Sequence, residues 1–349
     1  MGRLTLNTMG HTDSPLMAVL IGLGKQALDD HIPALLRRAD VKIVGVCDID
    51  PEACRRFYDR YPALGSIPVF TNFNQLLQTQ PDFAVVAVPH DTYGDIVSSL
   101  CARRIYFLKE KPLARNVAEA RLLETITGFE RYGFVATQRH FGRLYQEACK
   151  ALPMLGTFQR ASFAYTLRVA EPASGWRGSR QRAGGGCLLD MGYHLVDQIQ
   201  WWLGPADEVV LQSWGRSPLD DNDSVEQSAS VLFRYSSGLC ARLYVSRTAH
   251  KKDETYEIYG SCGSLIGSRS EFVVKDCMGN IVYRMEEPNC SEPIDAQLDF
   301  FIGRFRKQAG FVDVHRRHRR VLACIDRCYG RTEKDWVGAP MKEFDDVSV

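Results

Sequence analysis

The sequence predicts an α/β first part carrying a parallel sheet, followed by an α+β second part built on antiparallel strands. Three observations predict it. The chain has 349 residues, two to three times the usual single-domain length. Its first 137 residues alternate short apolar runs with amphipathic stretches, the pattern of parallel strands joined by right-handed crossover helices. After residue 137 the pattern turns to alternating apolar and polar positions separated by Gly, Ser and Asn, which is the grammar of an antiparallel meander. The expected division is therefore 1–137 and 138–349.

Taken in order, the first expected strand is the continuous apolar run Leu16 to Ile21, which ends in glycines. The second is the β-branched run Val41 to Cys47, ending at Asp48. The third, Phe83 to Val88, stops at Pro89, and the fourth, Arg104 to Leu108, stops before Glu110-Lys111-Pro112. Ala53 to Tyr61 and Asp95 to Arg103 have helical spacing between them. Asn116 to Arg131 reads as one further helix and Gly133 to Thr137 as a short strand. In the second part, a helix at 142–152 precedes a strand at 157–167, and an arginine- and glycine-rich loop at 174–186 leads into a helix at 188–203. Alternating segments then start at residues 228, 240, 255, 271 and 281, and helices over 294–309 and 317–329 follow.

Composition excludes several classes. Hydrophobic residues make up 45% and charged residues 24% of the chain, enough apolar material for packed cores and unlike a disordered chain. Forty-three basic against 42 acidic residues leave a formal charge of +1, so no global field exists to hold nucleic acid or an anionic membrane. The eleven cysteines (47, 54, 101, 149, 187, 240, 262, 277, 290, 324, 328) are scattered and odd in number. Reduced thiols in a cytoplasmic protein are expected, rather than disulfides or a zinc site. The polar N-terminus has no apolar signal core, and no stretch is long and apolar enough to span a bilayer.

The first strand runs into Gly22-Leu23-Gly24-Lys25-Gln26-Ala27, a G-x-G-x-x-A turn opening a helix. Gly22 allows a tight turn, Gly24 lets backbone approach a pyrophosphate, and Ala27 lets the helix pack close to the strand. Asp48 stands where a carboxylate accepts hydrogen bonds from an adenosine ribose and repels a 2′-phosphate, which favours NAD, with NADP the alternative. A helix cap is the other reading of Asp48, but Asp50-Pro51 makes the better cap pair.

Lys111 follows the fourth strand at the sheet edge where ligands of open α/β sheets bind, although a lone lysine is by default a solvated one. In Gly184-Gly185-Gly186-Cys187-Leu188-Leu189-Asp190-Met191-Gly192-Tyr193-His194, Asp190 and His194 are one helical turn apart. A carboxylate there can hold an imidazole that exchanges a proton near neutral pH. Two other readings stand beside it: an N-terminal helix carboxylate with a core histidine, and a metal pair lacking a third ligand.

These motifs occur together and in order with Val-Ala-Val-Pro-His at 86–90, Gln-Arg-His-Phe at 138–141 and Trp176-Arg177. In this combination the chain resembles the Gfo/Idh/MocA family of sugar and cyclitol oxidoreductases. The resemblance implies an N-terminal Rossmann domain and a C-terminal domain with a large, open, mainly antiparallel sheet. It also implies a homo-dimer or homo-tetramer formed through that sheet. Lys111, Asp190 and His194 correspond to the family's catalytic set. The implied cofactor residues are Gly22, Gly24, Lys25, Gln26, Ala27, Asp48, Pro89, His90, Glu110 and Lys111. The implied substrate residues are Lys111, Arg139, His140, Trp176, Arg177, Asp190 and His194, with no metal.

The expected activity is hydride transfer between NAD(P) and a secondary alcohol, or the matching ketone, of a sugar, cyclitol or related ring. An imine or enone reductase, and a non-catalytic dinucleotide-binding sensor, are the alternatives. The sequence departs from the family at two places: Tyr93 stands where a histidine is frequent, and His140 where a second arginine is common. Arg177, Arg180 and Arg182 suit either a grip on a substrate anion or a solvated loop. The basic run His315 to Arg320 resembles a nucleic-acid patch but is expected to be an exposed helix start.

Overall fold

The computed structural model describes residues 14–172, 174–215, 224–287 and 292–330; Cys290 and most of the polar N-terminus lie outside them. Six strands form the first sheet: β1 (Leu16–Ile21), β2 (Val41–Cys47), β3 (Val69–Phe70), β4 (Phe83–Val86), β5 (Tyr106–Lys109) and β6 (Gly133–Val135). All pairings are parallel, and the spatial order is β3-β2-β1-β4-β5-β6. The order reverses between β1 and β4, so their C-terminal ends open a crevice for a ligand. Ala18 to Leu20 and Phe83 to Val86 are almost wholly buried, as strands covered on both faces must be.

The turn after β1 works as its glycines require. Gly22 has φ +95°, and a Cβ there would collide with the carbonyl oxygen of Ala87 at the end of β4. The helix then opens at Lys25 and passes through a π-turn, Ala27–His31, in which the Ile32 amide reaches back to the Ala27 carbonyl. Pro33 has no amide to donate to the Asp29 carbonyl, so the regular ladder is interrupted next to this turn. Asp50 caps the next helix, Pro51–Arg60, by accepting from the Glu52 amide at 3.0 Å, as expected. The single helix expected over 116–131 is instead Val117–Glu124 and Phe129–Tyr132, divided by Gly128 at φ +88°. β3 has only two residues, too few to show any period.

The second sheet has eight strands: β7 (Phe158–Arg168), β8 (Glu208–Gly215), β9 (Ser228–Arg234), β10 (Cys240–Ser246), β11 (Thr248–Gly260), β12 (Gly263–Ser268), β13 (Glu271–Asp276) and β14 (Ile281–Glu286). Their order is β14-β13-β12-β11-β7-β10-β9-β8, antiparallel throughout except for β7 beside β10. β8 and β12, neither expected as a strand, complete it. The helix Gly192–Leu203 packs across β7 and β10, with Val196, Ile199 and Trp202 buried.

The last two helices, Glu292–Arg306 and Val312–Cys328, return to the first sheet. Phe301 meets Phe83 and Phe134 edge-on or tilted, at 5.4 and 6.1 Å between ring centroids. The basic run lies near the start of the second of these helices, but it is not simply exposed. His315 and His318 are fully buried, within 2.6 Å of the Gly133 carbonyl and 3.2 Å of the Val135 carbonyl, so the helix face divides charge from core.

Candidate active site

The crevice at the C-terminal edge of the first sheet opens into a cavity of about 1200 Å³ that runs to the face of the second sheet. At one end lie Gly22, Gly24, Lys25, Gln26 and Asp48; at the other lie Lys111, Arg139, Trp176, Arg177, Asp190 and His194. Pro89, His90 and Glu110 line it between them. Of the sequence-expected residues, Ala27 and His140 are absent from the wall. Ala27 is fully buried under the turn, where it packs rather than binds.

The dinucleotide end is held by Asp48. One carboxylate oxygen accepts from the Leu23 amide at 2.7 Å and the other from the Asp50 amide at 2.9 Å, tying the glycine turn to the end of β2. The residue is therefore fixed at the wall rather than spent on a helix cap. A Cβ at Gly24 would meet nothing within 4 Å, leaving room for a bulky anion against the backbone. His90 is buried, and its Nδ1 donates to the Ala183 carbonyl at 2.7 Å. Burial, opposed by that hydrogen bond, pushes its pKa down to about 3, so it is a neutral wall.

Glu110 is buried against His31 at 2.8 Å. Burial raises its carboxyl, but His31, Lys111 and Lys109 more than offset this and leave its pKa lowered. Beneath, the fully buried Lys109 ammonium donates to the carbonyls of Glu110, Pro112 and Leu113 at 3.0, 2.6 and 3.2 Å. It also sits 3.7 Å over the ring of Tyr93, whose hydroxyl donates to the Glu110 carbonyl at 3.1 Å. The backbone on both sides of Lys111 is thus gripped from below, and Tyr93, at a position where the family often has histidine, serves that grip.

Lys111 Nζ lies 2.9 Å from Asp190 Oδ1 and 2.6 Å from the Asp190 carbonyl oxygen. Arg177 approaches the other carboxylate oxygen at 3.4 Å while stacking on Trp176 at 4.3 Å. Burial alone would raise the Asp190 carboxyl; Lys111 and then Arg177 reverse that and hold it well below the usual carboxylate range. Here the sequence expectation needs correction. Met191 breaks the expected helix into Cys187–Asp190 and Gly192–Leu203, and no hydrogen bond joins Asp190 to His194 among the described residues. The carboxylate serves the lysine, not the imidazole.

His194 is lowered well below the usual imidazole value, first by burial, then by the nearby Lys111 and Arg139 charges, with Asp197 and Asp190 pulling weakly the other way. It is therefore a neutral acceptor at the cavity wall. Arg139 is buried and paired with Glu254 at 2.8 Å, while its guanidinium donates to Gln198 at 2.7 Å. Tyr145 donates to the same glutamate at 3.0 Å.

The expected substrate role of His140 does not fit its position. Its ring stacks on Trp201 at 4.2 Å and bonds Asp197 at 2.8 Å, away from the cavity. Of the three loop arginines, Arg177 and Arg182 line the cavity, the latter paired with Asp91 at 2.9 Å, whereas Arg180 is exposed. The ten described cysteines are free thiols, and none lines the cavity except Cys47.

Two supporting residues escape sequence reasoning. Glu254 occupies an inward position of β11, in phase with Tyr256 and Ile258, which was its one available signal. Glu226 accepts from the amides of Gly186 and Leu188 at 3.0 and 2.9 Å, fixing the entry to the Asp190 turn from nearly forty residues away. Nothing local predicts that.

Residues 16–127 match the model of the oxidoreductase family with an NAD-binding Rossmann fold, and residues 154–266 match the Gfo/Idh/MocA C-terminal domain. The chain belongs to the Gfo/Idh/MocA oxidoreductase family. As a member it is an NAD(P)-dependent oxidoreductase.

Among similar proteins is one provisionally named UDP-kanosamine synthase oxidoreductase subunit from Amycolatopsis mediterranei. It is 29% identical over 71% of this chain and 73% of its own length. The 1,5-anhydro-D-fructose reductase of Ensifer adhaerens is 27% identical over 54% of this chain, and the match spans 57% of that protein. The fold is shared with a 3-ketoreductase from Actinomadura kijaniata solved with NADP and TDP-benzene. That pair has a TM-score of 0.78 at 18% identity and covers 91% of this chain and 98% of the other. No helix among the described residues is long and apolar enough to cross a membrane.

Proposed function

We propose that this Gfo/Idh/MocA member transfers a hydride between NAD(P) and a secondary alcohol, or the matching ketone, of a sugar, cyclitol or amino-substituted ring. The observation that carries the reading is the meeting of Lys111, held on Asp190, with the neutral His194 in a cavity continuous with the glycine turn. The residues present fit the dinucleotide: the clear space over Gly24 would admit the pyrophosphate, and Asp48 on the same wall would accept from the adenosine ribose, which favours NAD, with NADP the alternative. When bound, the nicotinamide supplies the hydride acceptor or donor.

In the oxidation direction His194 takes the hydroxyl proton, and its uncharged state at neutral pH makes it competent to do so. Lys111 donates a hydrogen bond to the same oxygen and stabilises the negative charge that develops there. Asp190 keeps the ammonium aimed, and Arg177 with Trp176 closes the neighbouring wall. Reduction runs these roles in reverse. In this division of labour residues 1–137 hold the cofactor and contribute Lys111, whereas 138–349 bring His194 and the substrate surface. The outward face of the second sheet, where β10 exposes Cys240, Arg242 and Tyr244, would join copies into a dimer or tetramer.

The test is to check the purified chain for co-purifying cofactor, add NAD or NADP, and screen polyols, sugars, aminosugars and nucleotide sugars for reduced-nicotinamide absorbance. A substrate in this set supports the reading. Binding of cofactor with no turnover across the set, in either direction, overturns it.

A further inference from the structure

At the opposite edge of the first sheet three donor groups converge. Glu124 ends the helix Val117–Glu124, Glu130 lies on the short turn Phe129–Tyr132, and His315 comes from the helix Val312–Cys328. One carboxylate oxygen from each glutamate and a ring nitrogen of His315 all lie within 4.8 Å of one another. Because β6 begins at Gly133 and runs towards Gln138 on the cavity wall, this cluster stands away from the catalytic edge.

The histidine gives the cluster its meaning. Its Nε2 is 2.6 Å from the Gly133 carbonyl oxygen, which only accepts, so Nε2 carries the proton. Nδ1 is left as a bare acceptor on a fully buried side chain, with no hydrogen-bond partner. Glu124 Oε1 is likewise buried and unpartnered, while its other oxygen takes Arg319 Nη1 at 3.2 Å. Two buried acceptors beside a second carboxylate, with no donor between them, leave a desolvation cost that a cation would remove. A backbone carbonyl holding the far ring nitrogen is also the usual outer support of a metal-bound histidine.

We propose that Glu124, Glu130 and His315 bind a divalent cation of the zinc class, clamping the C-terminal helix onto the last crossover of the first sheet. One imidazole nitrogen and two carboxylate oxygens, with water completing the shell, suit zinc. Magnesium and calcium instead favour larger all-oxygen shells. Arg319 and Arg121 lie within electrostatic range of Glu124 and match the two carboxylates in number, so the ion is held by its three donor atoms rather than by a net charge. The clamp is structural and touches no reacting atom.

The test uses the full chain, reduced, stripped with EDTA and titrated with zinc chloride against a chromophoric chelator, with thermal unfolding followed in parallel. One tight equivalent per chain is expected, raising the melting midpoint by roughly 5 °C at saturation. Glu130→Gln and Glu124→Gln should each weaken binding at least tenfold and remove the shift, while cofactor binding and the circular dichroism spectrum stay those of the parent. Since the chain holds eleven cysteines, cobalt(II) is substituted in the parent protein as a second measurement. A spectrum without thiolate charge transfer supports the site. Thiolate charge transfer, no tight equivalent, or unchanged affinity in both variants overturns it.

Discussion

The pairing of Lys111 with Asp190 makes the sharpest prediction. Two unit charges 2.9 Å apart attract by about 6 kcal/mol at an effective dielectric constant near 20, before desolvation is subtracted. Breaking such a partly buried pair from one side costs about 3–5 kcal/mol of stability. The catalytic loss is separable. Lys111→Met removes the donor aimed at the developing alkoxide, worth about 3–4 kcal/mol, and should lower kcat by roughly 10²–10³-fold. Asp190→Asn leaves the ammonium its second anchor, the residue-190 carbonyl at 2.6 Å, but removes the charge that aims it, and should lower kcat by roughly tenfold or more. Because Asp190 acts through Lys111, the double variant should be no slower than Lys111→Met within about threefold. Initial rates from reduced-nicotinamide absorbance, with cofactor affinity from fluorescence titration, provide the cycle. Additive losses in the double variant, or a Lys111→Met enzyme within tenfold of the parent, would refute the coupling.

Other consequences follow from the same geometry. His194 is neutral well below the usual imidazole range, so kcat/KM for oxidation should stay level from neutrality down through pH 6.5. His194→Asn should lose about 10²–10⁴-fold in kcat, and an acid limb above pH 6.5 in the parent would contradict this. The depressed Asp190 carboxyl contributes stability that is present above its unfolded pKa of about 4 and lost as pH falls below it. Thermal midpoints between pH 5 and 3 should therefore fall less steeply for Asp190→Asn, and parallel slopes would count against the pair. Asp48→Ser should raise the NADP-to-NAD ratio of kcat/KM about tenfold or more while weakening NAD use, since two backbone amides also lose their acceptor. An unchanged ratio would remove Asp48 from cofactor choice. Gly186→Ala drives a Cβ into the Glu226 carbonyl and carboxylate; denaturant titration should show a loss of about 1–3 kcal/mol.

By itself the sequence determined what is local and periodic. Continuous apolar runs set β1, β2, β4 and β5, the glycine turn marked the crevice, and Asp50-Pro51 marked a helix start, because each rests on propensity and period within a few residues. Lys111, Asp190 and His194 were legible from motifs, and the structure brings them to one cavity. The tertiary structure alone decided how they are paired. Spacing put Asp190 beside His194, but a break at Met191 turned the carboxylate to a lysine nearly eighty residues earlier. It also sent His140 to Trp201, buried Lys109 beneath Lys111, and made Glu226 and Glu254 the holders of other residues. Such partners are chosen by desolvation: a buried charge or amide takes whatever complementary group the fold brings within 3 Å, and separation along the chain does not enter.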